Sequence, residues 1–177
     1  MSNIVYIATS LDGYIADKNG NIEWLQIVSN PDGLDFGWAD FIDGIDAIIM
    51  GRTTAETVLG FGLGWPYTKP VFILSNTWRK IPGELVGKAE LINGSLKQVI
   101  KTLNQRDIKN IYVDGGKTIN SFMREGLVDE IIITTIPVIL GGGVPLFGEL
   151  DDAINLEHIK TNVFLDAIVQ NHYRVKK

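Results

Sequence analysis

Ile111-Tyr112-Val113-Asp114-Gly115-Gly116-Lys117-Thr118 reads as a strand that runs into two glycines and then into a helix. A short run of β-branched and aromatic residues suits a buried strand. The glycines let backbone amides come close to a ligand. The helix that follows begins with amides that have no intrahelical acceptor, at the positive end of the helix dipole. Ile48-Ile49-Met50-Gly51-Arg52-Thr53-Thr54-Ala55-Glu56 repeats the pattern, and Arg52 adds a fork of donors suited to phosphate. Neither stretch is GxGxxG or GxxxxGK[ST], so neither the Rossmann nor the P-loop label applies. Either alone is an ordinary turn before a helix. Together, in a parallel sheet, they put two anion-binding junctions on the same carboxyl edge, where such folds bind ligands.

Working outward, strands are expected at Ile4–Thr9, Ala47–Met50, Val71–Leu74, Asn110–Val113, Glu130–Ile136 and Val163–Val169, with a last one at His172–Lys176. Ser95-Leu96-Lys97-Gln98 is a capping box, and Leu96, Val99, Ile100 and Leu103 follow at helical spacing. Thr53-Thr54-Ala55-Glu56 reads as a second capping box, with Ala55, Val58 and Leu59 on one face. A third helix is expected from about Thr118 to Glu125, stopped by Gly126. Strand–helix alternation predicts one α/β domain over residues 1–177, with a mostly parallel central sheet. The last third holds little helix and predicts antiparallel strands added at one side.

Composition narrows the chemistry. The 177 residues contain no cysteine and two histidines, His158 and His172. Thiolate nucleophiles, iron–sulfur clusters and cysteine-ligated zinc are excluded, and no metal is expected. With 16 basic and 21 acidic residues the net charge is −5, which disfavours nucleic acid as a partner. The uncharged stretch Ile131–Phe147 carries Pro137, Pro145 and three glycines. It falls short of the roughly 20 apolar residues of a membrane helix. The start, MSNIVYIATSLDG, lacks a basic region and meets Asp12 early, so a soluble, cytoplasmic chain is expected.

Three more segments attract attention. Ser10-Leu11-Asp12-Gly13-Tyr14-Ile15-Ala16 follows the first strand and turns at Asp12-Gly13. Leu74-Ser75-Asn76-Thr77 ends a strand on short hydrogen-bonding residues. Pro137-Val138-Ile139-Leu140-Gly141-Gly142-Gly143-Val144-Pro145-Leu146-Phe147 is read as an ordered corner. In this order, SLDGYIA, GRTTAE, DGGKT and PVILGGGVPLF resemble the dihydrofolate reductase-like superfamily. The closer resemblance is to the C-terminal reductase domain of the riboflavin-biosynthesis deaminase-reductase and its stand-alone bacterial relatives. It spans Ile4 to about Tyr173, without a deaminase half.

That resemblance implies a twisted, mostly parallel sheet flanked by helices, usually a homodimer, with NADPH across the carboxyl edge. Gly51, Arg52, Thr53 and Thr54 match the segment that holds cofactor phosphate and the adenosine side. Leu74, Ser75 and Asn76 match the segment beside the adenine ribose. Val113, Gly115, Gly116, Lys117 and Thr118 match the pyrophosphate turn, and Ala8, Ile15 and Ala16 the nicotinamide side. Arg52 and Lys117 offer positive partners for a 2′-phosphate, so NADPH is expected over NADH.

On the substrate side, the resemblance puts an acid on the first helix, hydrogen-bonded to a strand threonine. Counting back from Gly51-Arg52 gives Asp35, and counting along Glu130–Ile136 gives Thr134. A buried Asp35 would supply or relay the proton. Trp24 matches the tryptophan of the nicotinamide-side loop. Where the riboflavin enzyme grips a ribose phosphate, this chain reads Gly60-Phe61-Gly62-Leu63-Gly64-Trp65-Pro66-Tyr67, without charge. A flat, neutral heterocycle of pteridine or pyrimidine type fits better, with Trp24, Phe36, Trp38, Phe61 and Trp65 as candidate walls. Dihydrofolate reduction and a non-catalytic NADPH-binding module are the alternatives.

Overall fold

The computed structural model describes residues 1–62 and 64–177. Leu63, part of the uncharged segment above, lies outside the described residues. The main sheet has eight strands. In chain order they are β1 (Ser2–Ser10), β3 (Ala47–Gly51), β4 (Val71–Leu74), β5 (Ala89–Ile92), β6 (Asn110–Asp114), β7 (Glu130–Ile136), β9 (Leu156–Phe164) and β10 (Ile168–Val175). Their spatial order is β5-β4-β3-β6-β1-β7-β10-β9. Every pair from β5 to β7 is parallel. β10 then runs antiparallel to both β7 and β9. β2 (Tyr14–Ala16) and β8 (Val144–Pro145) form a separate small pair.

Parallel strands are covered on both faces, which is why β3 is apolar throughout. Alternation then sorts the side chains. Val5, Ala47, Ile49, Phe72, Ile111 and Val113 pack on one face against α3 (Leu96–Gln105) and α4 (Gly116–Arg124). Ile48, Met50, Val71, Ile73 and Tyr112 face the other way. There they meet α1 (Trp38–Asp43), α2 (Arg52–Gly60) and the segment bearing Trp65 and Tyr67.

The predicted α/β architecture, with its parallel sheet and antiparallel C-terminal strands, is the one observed. Ser95 caps α3 as expected, its side chain accepting from Gln98 N while the Gln98 side chain accepts from Ser95 N. Two local expectations need correction. Val163–Val169 is not one strand. Leu165 and Asp166 both take positive φ, 54° and 52°, and reverse the chain between β9 and β10. The capping box at Thr53 is absent as well: α2 starts at Arg52 behind Gly51, with no side chain on its free amides.

The triple-glycine segment is an ordered corner. Gly143 has φ 146°, and a Cβ there would collide with the Ala16 carbonyl. Asp12 fastens the same corner to the end of β1, its carboxylate accepting from Leu140 N at 3.1 Å and Gly141 N at 2.8 Å. Among the described residues, no helix is long and apolar enough to cross a membrane.

Candidate active site

The two strand–glycine–helix junctions meet. A Cβ on Gly115 would fall on the Thr54 side chain of α2, and one on Gly51 would lie 3.1 Å from Thr118 Oγ1 of α4. Each helix start therefore leans on the other's glycine. Neither N-cap, Gly51 or Gly115, provides a side-chain bond to the amides behind it. Two helix starts, each with uncapped N–H groups and a positive dipole end, therefore lie side by side, which favours an anion. β2 closes over this place. Ile15 Cδ1 would lie 2.7 Å from a Cβ on Gly116, so glycine there lets the two segments touch. Asn120 Nδ2 bonds the carbonyls of Gly116 at 2.8 Å and Leu146 at 2.7 Å, tying α4 to the glycine-rich corner.

The other residues expected at a cofactor site fall around the same edge. Leu74 ends β4 opposite Gly51. Ser75 is buried, and its hydroxyl accepts from Thr77 N at 3.2 Å and Trp78 N at 2.9 Å. Asn76, Thr53 and Lys117 are exposed. Arg52 opens α2 with Nη1 donating to Glu56 Oε1 at 2.9 Å. Val113 is fully buried in the core beneath the turn, and supports it by packing. Ala8 and Ala16 flank the other end: Ala8 pairs with Thr134 across β1 and β7, and Ala16 pairs with Val144. Trp24 is buried with Ile136 and Ile168 near Ala8, its Nε1 donating to the Asn21 carbonyl at 3.3 Å.

The expected Asp35–Thr134 pair does not form. Asp35 is exposed, and its carboxylate caps α1 by accepting from Gly37 N and Ala39 N, both at 2.9 Å. The Ala39 and Gly37 amides hold its carboxyl below the usual range, so it stays ionised rather than serving as a buried acid. Thr134 is buried and takes Gln170 instead, whose Nε2 donates to Thr134 Oγ1 at 2.9 Å. The same amide reaches the Phe36 carbonyl at 3.1 Å and Tyr6 Oη at 3.2 Å. Gln170 so fixes the loop before α1 onto the sheet. Asp35→Ala is expected to lower the melting temperature by a few degrees near pH 7. The loss should vanish at low pH, because a lowered carboxyl pKa stabilises only while the group is ionised. A pH series of thermal melts checks this.

A different acid occupies the face shared with Tyr6, Thr134 and Tyr112. Asp114 ends β6 immediately before Gly115-Gly116, and Tyr67 Oη donates to its Oδ2 at 2.9 Å. Burial raises its carboxyl above the ordinary value, against the opposing pull of the Tyr67 and Tyr112 phenols and the Gly115 amide. Burial also pushes the Tyr67, Tyr112 and Tyr6 phenols up, so all three remain neutral donors. The sequence shows Asp114 inside a strand–glycine motif but gives no sign of Tyr67, 47 residues earlier, closing over it. Of the expected aromatic walls, Trp38 and Trp65 pack in the cluster around Tyr112, Phe36 stacks edge-on with Phe164, and Phe61 is exposed.

A parallel sheet with paired helix starts at its carboxyl edge and an antiparallel hairpin at its far side defines an α/β protein of the dihydrofolate reductase type. The structure superposes on dihydrofolate reductase from Enterococcus faecalis complexed with NADP(H), with TM-score 0.69 at 14% identity, covering 99% of this chain and 97% of that one. The chain belongs to the RibD C-terminal domain family, whose model matches residues 3–169. Uncharacterized protein YwjB of Bacillus subtilis is 38% identical over 172 residues, 96% of this chain and 95% of its own length. A Shewanella sp. PV-4 protein provisionally described as a riboflavin biosynthesis protein matches with TM-score 0.98 and 47% identity, each chain covered in full. The diaminohydroxyphosphoribosylaminopyrimidine deaminase/5-amino-6-(5-phosphoribosylamino)uracil reductase of Thermotoga maritima has TM-score 0.75 at 19% identity. The match covers 99% of this chain and 56% of that longer one.

Proposed function

We propose that this chain is an NADPH-dependent reductase that delivers a hydride to a neutral heterocycle of pteridine or pyrimidine type. The observation that carries the reading is the interlocked pair of uncapped helix starts at Gly51 and Gly115. The glycines let the two helix starts lie against each other, Thr54 on Gly115 and Thr118 on Gly51, and two positive helix ends side by side favour an anionic group. Arg52 and Lys117 add positive charge beside it, and Leu74, Ser75 and Asn76 border the same edge. Family membership supports the reading, and the E. faecalis relative in fold is complexed with NADP(H).

When bound, the reduced nicotinamide supplies the hydride. The remaining chemistry belongs to the protein. Asp114, whose carboxyl burial raises above the ordinary aspartate value, is the acid that donates the proton balancing the charge on the reduced ring. Tyr67 holds the Asp114 carboxyl in place, while the Thr134–Gln170 pair lies on the same face of the sheet. The uncharged Phe61–Tyr67 region supports a substrate without phosphate. A second reading, a non-catalytic NADPH-binding module, draws on the solvent position of Asp35. The two part at Asp114, which the module does not need as an acid.

Coenzyme binding to the native state alone raises stability by about 2.7 kcal/mol at 100 times Kd. For a chain of this size, that is a rise in melting temperature of about 5–10 °C. A thermal shift with NADPH, followed by NADPH oxidation over a panel of dihydropterins and aminouracils, tests the proposal. No shift at millimolar NADPH removes it; a shift without oxidation favours the module.

A further inference from the structure

Arg52 and Glu56 form an ion pair whose placement does little for the helix that carries it. Arg52 is the first residue of α2, where the dipole is positive and a cation is unfavourable. Its partner lies four residues later, and this basic-before-acidic order is the weaker one along a helix. Both side chains are about two-fifths exposed, 41% and 43%, so solvent screens the attraction. What the pair does achieve is to bring a guanidinium and a carboxylate together on the first turns of α2, the helix that starts directly after Gly51.

These two groups read opposite features of an adenosine ribose. A 2′-phosphate calls for an arginine, whereas a free 2′-hydroxyl donates to a carboxylate. We propose that Glu56 is a coenzyme-selecting residue, whose carboxylate accepts the 2′-hydroxyl of NADH and opposes the 2′-phosphate of NADPH, so that the Arg52–Glu56 pair admits both coenzymes. The inference rests on the reading that this edge binds a nicotinamide dinucleotide. The 2′-phosphate must compete with Glu56 for Arg52 Nη1 and lie near a second negative charge. The 2′-hydroxyl of NADH meets an acceptor that Arg52 already holds in position.

Fluorescence titration of the full chain with NADPH and with NADH, for the parent and for Glu56→Gln, tests this without any substrate. The parent is expected to prefer NADPH by about tenfold or less. Glu56→Gln should tighten NADPH by about three- to tenfold and weaken NADH by a similar factor. The gain for NADPH should shrink as salt is raised from about 50 mM to about 500 mM, because the pair is exposed. Glu56→Ala should move the preference the same way. If both coenzymes bind and the preference in both variants stays within about twofold of the parent, the selecting role is overturned while the reductase reading stands. If the parent binds neither coenzyme, both fall.

Discussion

Replacing Asp114 with asparagine is expected to lower the rate of heterocycle reduction by about 100- to 10,000-fold, the range for losing a positioned general acid. NADPH affinity should stay within a few-fold of the parent, because the proposed anion site consists of backbone at Gly51 and Gly115–Thr118. Asparagine keeps the shape and can still accept the Tyr67 hydroxyl, so the fold should hold. The pH dependence separates chemistry from packing. Asp114 works as an acid only while protonated, and its carboxyl is raised. The parent's rate should therefore fall as pH rises through that raised value, and the variant should lose this limb. Stability should follow the same group. The native state holds a proton that the unfolded chain has released, so stability declines as pH climbs from the ordinary aspartate range to the raised value. The variant's melting temperature should lack that decline. Steady-state kinetics and thermal melts over one pH series read both effects. A variant with the parent's rate and pH profile would remove Asp114 from the chemistry.

The contrast between Asp114 and Asp35 shows where the sequence speaks and where it falls silent. Counting from Gly51 led to Asp35, but two local amides turned its carboxylate back onto α1. The buried partner of Thr134 came instead from Gln170, 36 residues away on the last long strand. Asp114 likewise takes its hydrogen bond from Tyr67, a pairing no local pattern encodes. The glycine junctions were legible because their chemistry is local: strand, turn, helix start. So were β1, β3, β6 and β7, whose apolar runs reflect burial in a parallel sheet. β5 and β9 were not. Glu90 breaks the first, and the exposed β9 has no buried face to impress a period of two on its sequence. Leu165-Asp166 reverses the chain without a glycine, so the turn left no signal and its two strands read as one.

The glycine at 115 carries the second large effect. Its φ of 88° and ψ of 132° suit glycine and strain any residue with a Cβ by about 1–3 kcal/mol. Added to this is the collision with Thr54, whose Cβ lies 3.1 Å from the new methyl and whose hydroxyl is closer still. Gly115→Ala is thus expected to destabilise by roughly 2–5 kcal/mol, or about 5–15 °C in melting temperature. It should also weaken NADPH by more than about tenfold, because prying α2 from α4 parts the two sets of amides that share the anion. Two companions separate the causes. Thr54→Ala in the Gly115→Ala background removes the hydroxyl but leaves the backbone strain, so only part of the loss should return. Gly126→Ala places a methyl at φ 63° in open space behind the far end of α4. It should cost about 1 kcal/mol through the backbone alone and leave NADPH affinity unchanged. Calorimetry with and without NADPH measures each variant. If Gly115→Ala binds as tightly as Gly126→Ala does, the convergence of the two helix starts is a matter of packing and the anion is held elsewhere.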